Sequence, residues 1–223
     1  MKESSSTTTK QILLKNSLKL FAKQGFDKTS IQQIIDKSKV SKGAFYHYFS
    51  SKDDILDTIA ELFVLKIISM TEDVVNKKDM SALEKLNYLI INVSLFKINN
   101  KKERTVLHKA VNKDSNLKLK QKIINRSIEL SRKPLYKLFE QGAREGVFDT
   151  EYKKELADFY VPLAVAFRKS FLDFDLESTI RSKDGKDKIK KGLMFFEDLL
   201  ERIFGIKKGS LIYSKTLIKE LKL

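Results

Sequence analysis

The stretch Thr29-Ser30-Ile31-Gln32-Gln33-Ile34-Ile35-Asp36-Lys37-Ser38-Lys39-Val40-Ser41-Lys42-Gly43-Ala44-Phe45-Tyr46-His47-Tyr48-Phe49 carries two short patterns of helical spacing separated by a few residues. In the first, Ile31, Ile34, Ile35 and Ser38 fall at i, i+3, i+4 and i+7, which is one face of a helix. Thr29 is a candidate N-cap, with Gln32 three residues on able to reach back, and the helix should end near Lys37. Ser41 offers the next cap, for a helix through Tyr46 to Tyr48. Ile31, Ile34 and Ile35 bury the first helix, Val40 plugs the turn, and Phe45 and Phe49 anchor the second helix from behind. That leaves Ser41, Lys42, Gly43, Ala44, Tyr46 and His47 facing outward. Two short helices joined by a tight turn make a helix-turn-helix, here over about residues 30–49. The second helix of such a pair fits the major groove of DNA. Gly43 and Ala44 are small enough to let it approach the base edges, and Lys42 can donate to guanine.

The flanks extend the pattern. Upstream, Thr8-Thr9-Lys10-Gln11 fits a capping box, and the helix it opens shows Leu13, Ser17, Leu20 and Phe21 on one face before Gly25 stops it. Downstream, Ser50-Ser51 caps a longer helix with Asp53 and Asp54 in its first turn, where acids complement the helix dipole. Further on, Leu83, Leu86, Ile90 and Val93 form an amphipathic stripe. A helix over about 116–144 carries Pro134, expected to kink or restart it, and Gly142 and Gly146 mark its end. Leu156, Tyr160, Leu163, Phe167, Phe171 and Phe174 form another stripe, interrupted by Pro162. Ser182 to Lys188 reads as a polar loop. Ile189, Leu193, Phe196, Leu200 and Ile203 then recur at spacings of four and three, the seam pattern of helix-on-helix packing. A short amphipathic tail with Leu211, Ile212, Leu217, Ile218 and Leu221 closes the chain; the sequence assigns no role to residues 207–223. With no strand pattern and no internal repeat, the expected class is all-α.

Composition agrees and narrows the chemistry. The chain has 223 residues and 42% apolar residues, enough for a packed core, but only two prolines and eight glycines, too few for a turn-rich β fold. There is no cysteine, so thiol chemistry and disulfides are excluded. Residues 1–50 hold nine lysines against three acids, a net of +6 out of the chain's +15, so positive charge is densest where the helix-turn-helix lies. Met1 to Thr9 is polar and lacks the apolar core of a signal peptide, and the longest apolar run, Val161 to Phe167, is far too short to span a bilayer. A cytoplasmic protein with no membrane partner is the expectation. No nucleophile–base pair, metal cluster or cofactor fingerprint is present, so neither an enzyme nor a cofactor or metal site is expected.

The motif resembles that of the tetracycline-repressor (TetR) family. Phe21-Ala22-Lys23-Gln24-Gly25-Phe26 matches the end of the family's first helix, and Ser41, Lys42, Gly43, Tyr46 and Phe49 match its Ser-Lys-Gly-x-x-Tyr-x-x-Phe signature. Thr29 and Lys52 match its phosphate-binding threonine and the lysine that opens its fourth helix. The likeness spans about residues 10–56. It implies that Thr29, Tyr46, His47 and Lys52 hold the DNA backbone while Lys42 and Gly43 sit nearest the bases. It further implies a three-helix DNA-binding domain over residues 1–52 and a larger helical domain over 53–223 that binds a ligand and dimerises. The homodimer would form through the helices at about 156–174 and 187–204, on an approximately palindromic double-stranded DNA operator. Two departures stand out. Ser38-Lys39 replaces the usual Ala-Gly, at a cost of about 1 kcal/mol if Lys39 turns left-handed, and Asn16 and Ser17 replace small alanines.

The ligand is not carried over by the likeness. Phe96, His108, Tyr136, Phe139, Phe159 and Phe167 are the candidates to line a cavity, and the abundance of Phe suggests an apolar molecule. The expected function is a ligand-responsive repressor released from its operator by that molecule; the alternative is a DNA-binding protein without small-molecule control.

Overall fold

A computed structural model describes residues 3–100, 106, 117–171 and 176–223, and every regular element among them is a helix. In chain order these are α1 (Glu3–Gln24), α2 (Ile31–Ser38), α3 (Lys42–Tyr48), α4 (Lys52–Val75), α5 (Ala82–Asn99), α6 (Leu117–Arg144), α7 (Lys153–Phe171), α8 (Leu176–Thr179), α9 (Lys183–Ile203) and α10 (Tyr213–Glu220). No described helix is long and apolar enough to cross a membrane. The chain divides into one compact unit over 1–65 and 100–123 and a second over 66–99 and 124–223.

The first unit closes over Leu13, Leu20, Phe21, Ile34, Ile35, Phe45, Phe49, Ile55, Leu56 and Ile59, all buried. α1 begins at Glu3, upstream of the Thr8 cap expected from sequence. α2 is capped by Ser30 rather than Thr29, with Gln33 closing the box: Ser30 Oγ accepts from Gln33 N at 3.2 Å and Gln33 Oε1 accepts from Ser30 N at 2.9 Å. Two adjacent hydroxyl residues could each start this helix, and Thr29 is taken by the preceding turn. Ser17 faces this core fully buried, and its hydroxyl has no hydrogen-bond partner. Leaving a buried hydroxyl unpaired costs more than a mutation to a methyl does. Ser17→Ala is therefore expected to raise the denaturant midpoint by the equivalent of about 1 kcal/mol; a fall would show that the hydroxyl bonds in solution.

The second unit is built on Leu86, Leu89, Ile90, Leu138, Phe139, Ile189, Leu193, Phe196 and Leu200. Three expectations are revised here. Ser182–Lys188 is not a loop: Ser182 caps α9 by accepting from Gly185 N at 3.0 Å, and the helix starts at Lys183. α6 runs on through Pro134 without restarting, and Pro162 does not interrupt α7. Gly142 lies inside α6 and makes room for Phe148, whose ring would overlap a Cβ there, while Gly146 at φ +67° is the true stop. The tail gains a place. α10 packs on α5 and α9, and Tyr213 and Leu217 are buried. Polar clamps fix it: Glu201 Oε1 accepts from Leu211 N at 2.9 Å, Glu197 Oε2 from Ser214 N at 2.7 Å, and Asn87 Oδ1 from Ile212 N at 2.9 Å. At another corner Lys85 is buried, donating to Val75 O at 3.0 Å and Gln141 Oε1 at 2.7 Å, and burial holds its ammonium below the usual lysine range.

Candidate nucleic-acid interface

The recognition candidate α3 is short, so its position depends on what fastens it. Ser41 caps it, its hydroxyl accepting from Ala44 N at 3.0 Å. Phe45 and Phe49 are buried beneath it with ring centroids 6.3 Å apart, and burying a side chain of this size contributes about 1.5–3 kcal/mol. On the other side Ser41, Lys42, Gly43, Tyr46 and His47 are all exposed, Tyr46 to 49%. A Cβ at Gly43 would meet nothing nearer than Ser41 Oγ at 4.0 Å. The fold itself therefore does not require glycine at 43. An open, hydroxyl- and cation-bearing helix face with its apolar anchors behind it can lie against phosphates and base edges.

The turn before α3 passes through one of the departures in sequence. Lys39 adopts φ 54° and ψ 43°, the left-handed region, and its N–H donates to Asp36 O and Ile35 O. Asn16, the other departure, supports the same turn, its Nδ2 donating to Lys37 O and Ser38 Oγ at 3.3 Å each. Asn16 thus braces α2 from α1 and supplies what an alanine there could not.

The remaining two DNA-contact candidates sit differently. Thr29 is buried, and its hydroxyl donates to Gly25 O at 2.8 Å across the loop that joins α1 to α2. Lys52 opens α4 half-buried, its ammonium donating to Phe26 O at 3.1 Å and to Asp27 O and Thr29 O at 3.3 Å each, 4.6 Å from the centre of the Phe26 ring. Gln24 completes the loop by donating to Lys28 O at 3.0 Å and Gln33 Oε1 at 2.9 Å. The structure thus gathers Ser41, Lys42, Gly43, Tyr46 and His47 on the exposed side of α3 and its cap, and places Thr29 at the end of the loop that joins α1 to α2, which Lys52 reaches from the start of α4. Sequence reasoning missed Gln24, Asn16 and Gln33; only the two departures from the family pattern hinted at Asn16.

Of the described ligand candidates, Phe139 and Phe167 belong to one buried apolar core, and Tyr136 packs against it. Phe139 is buried with its ring 5.0 Å from that of Phe204, and Phe167 is buried and stacked 4.1 Å from Phe196. Phe96 and Tyr136 are half-buried, and Phe159 is 70% exposed on α7. His108 lies outside the described residues.

Residues 13–59 match the family model described as bacterial regulatory proteins, tetR family. The chain is 38% identical over 80 residues to YerO of Bacillus subtilis, an HTH-type transcriptional regulator, covering 34% of this chain and 28% of that one. It is 33% identical over 94 residues to the transposon Tn10 TetC protein of Escherichia coli, covering 38% of this chain and 46% of that one. The alignments therefore span less than half the length of these relatives. Among solved structures, the fold is similar to SmeT in its triclosan complex, with a TM-score of 0.67 at 14% identity over 92% of this chain and 95% of that one. It is also similar to a TetR-family regulator from Syntrophomonas wolfei, with a TM-score of 0.63 at 24% identity over 86% and 95%.

Proposed function

We propose that this chain, whose residues 13–59 match the tetR family of bacterial regulatory proteins, is a homodimeric repressor of that family that lays α3 in the major groove of an approximately palindromic operator. A single observation carries the reading. The exposed side of α3 holds Ser41, Lys42, Gly43, Tyr46 and His47, while Phe45 and Phe49 fix the helix to the core from behind. Lys42 and Gly43, in the first turn, approach the bases, and Ser41, Tyr46 and His47 offer donors to the flanking phosphates. A DNA-binding domain built on the first compact unit and a regulatory domain built on the second divide the work.

Dimerisation runs through α7 and α9. These two helices pack on each other and expose Phe159 to 70%, Met194 to 59% and Phe195 to 54%. Large apolar side chains left outside on two packed helices are what a second copy covers. A small apolar molecule bound in the C-terminal unit releases the operator by favouring a conformation that fits it less well. Phe96 and Tyr136, half-buried, are the aromatic candidates left to line such a site. The second reading, DNA binding without a ligand, is favoured by the ring-on-ring packing of Phe139 and Phe167, which fill core with other rings.

Selection of bound sequences from random double-stranded DNA tests the reading. The full chain is expected to enrich an inverted repeat with half-site centres about one helical turn apart, or a multiple of it. Enrichment of a single unrepeated site, or of none, would overturn it.

A further inference from the structure

The loop from Gly25 to Thr29 has no ladder of its own, yet each of its five carbonyls receives a donor. Gly25 O accepts from the Thr29 hydroxyl at 2.8 Å, Phe26 O from Thr29 N at 3.2 Å, and Lys28 O from Gln24 Nε2 at 3.0 Å. Lys52 supplies the rest, and it reaches there from the first residue of α4. An ammonium has three N–H donors, and here three carbonyls take them: Phe26 O, Asp27 O and Thr29 O. The Phe26 ring, 4.6 Å from Nζ, adds its negative face. The charge is thus surrounded by partial negative charge from the protein, in a half-buried position. A phosphate oxygen could bind this ammonium only by displacing a carbonyl.

We propose that Lys52 is a positioning residue for DNA binding: it fastens the Gly25–Thr29 loop to the start of α4 and thereby fixes where α2 begins, without gripping a phosphate. Thr29 O, which it holds, immediately precedes the Ser30 cap of α2. α2 in turn presents the turn that leads into α3. The ammonium acts through this chain of backbone positions. The inference rests on the DNA-binding reading above, but the loop clamp exists without DNA and is measurable there.

Two variants of the full chain, compared with wild type, separate the two roles: Lys52→Met, which keeps the stem and removes the donors, and Lys52→Arg, which keeps the charge. A planar guanidinium cannot spread its N–H groups onto three carbonyls arranged around one point. In the free protein, both substitutions are expected to speed amide exchange at Thr29–Gln33 by tenfold or more while exchange in α9 stays at the wild-type rate. On operator DNA both are expected to weaken binding, and Lys52→Met is expected to keep the wild-type slope of log affinity against log salt. A phosphate grip predicts the reverse: Lys52→Met flattens that slope by about 0.9 for each half-site, Lys52→Arg restores wild-type affinity, and loop exchange is unchanged. That result overturns the proposal. If Lys52→Met does not fold, wild type decides. The Lys52 ammonium resonance should keep its hydrogen-bond couplings to the carbonyl carbons of residues 26, 27 and 29 when operator is added, and coupling to phosphorus instead overturns the proposal. Wild type that binds no DNA at all would sink the functional reading, while the free-protein exchange data would still judge the clamp.

Discussion

Changing Met194 and Phe195 to aspartate is expected to leave a folded monomer that has lost its operator, whereas Leu193→Asp with Leu200→Asp is expected to unfold the C-terminal unit. The four residues sit on one helix, α9, and differ only in which side they occupy. Leu193 and Leu200 are fully buried within their own chain. The four–three seam that suggested a partner helix is already filled within the same protomer, where α7 and α10 pack on α9. An aspartate there loses the apolar burial of a leucine and adds an unpaired charge, a combined cost above about 5 kcal/mol, comparable to the whole stability of a domain. Met194 and Phe195 are 59% and 54% exposed, so the monomer has little to lose from aspartate at either place. A two-fold interface repeats each change, and centrally placed aromatic residues are worth about 2 kcal/mol or more apiece. The dimer dissociation constant should therefore rise on the order of a thousandfold or more. Sedimentation and circular dichroism on the two double mutants decide the matter. A soluble, helical Leu193→Asp/Leu200→Asp monomer would return the interface to the seam. A Met194→Asp/Phe195→Asp protein that stays dimeric would move it off α9.

The same helix shows what the sequence made legible and where it stopped. Period alone placed Ile189, Leu193, Phe196, Leu200 and Ile203 on one packed face; the first four are buried and Ile203 is half-buried. Period does not say by whom, because an apolar stripe is the same signal whether the covering helix belongs to the same copy or another. The tail that covers part of it, with Tyr213 and Leu217, begins about ten residues further on and carries no motif. Near the N-terminus legibility was higher, because the helix-turn-helix is specified locally. Ser41 capping α3, Phe45 and Phe49 behind it, and Lys39 in the turn all follow from neighbours within a few residues. The cap of α2 was missed by a single residue because Thr29 and Ser30 offer the same chemistry, and only the bond from Thr29 to Gly25 O breaks the tie. Contacts between distant positions were not legible. Nothing local to Lys52 announces carbonyls more than twenty residues upstream, and nothing local to Glu201 announces the backbone of Leu211. Ser182–Lys188 was misread because a polar composition describes a loop and the exposed first turn of a helix equally well.

The last expectation sets specificity against stability at one turn of α3. Lys42→Ala should weaken the cognate operator by about 1–3 kcal/mol for each half-site, since a lysine bonded to guanine discriminates by that amount. With two half-sites the loss compounds to about 2–6 kcal/mol, or from some thirtyfold to about twenty-thousandfold in affinity. Non-specific DNA should be spared by comparison, and equal losses on both DNAs would reassign Lys42 to the phosphate backbone. Gly43→Ala provides the companion measurement, because its two effects have opposite signs. A helical glycine costs up to about 1 kcal/mol relative to alanine, and a methyl group at 43 meets only Ser41 Oγ, 4.0 Å away. The variant should therefore unfold at a higher denaturant concentration than wild type. Against DNA the same methyl group occupies the space through which α3 approaches the base edges, so operator affinity should fall. A substitution that only damaged the protein would lower both readings, and one on an idle surface would raise stability while leaving affinity alone. Only a helix whose exposed first turn touches DNA makes the protein more stable and a worse binder at once. Gly43→Ala that keeps wild-type operator affinity would place the first turn of α3 away from the groove.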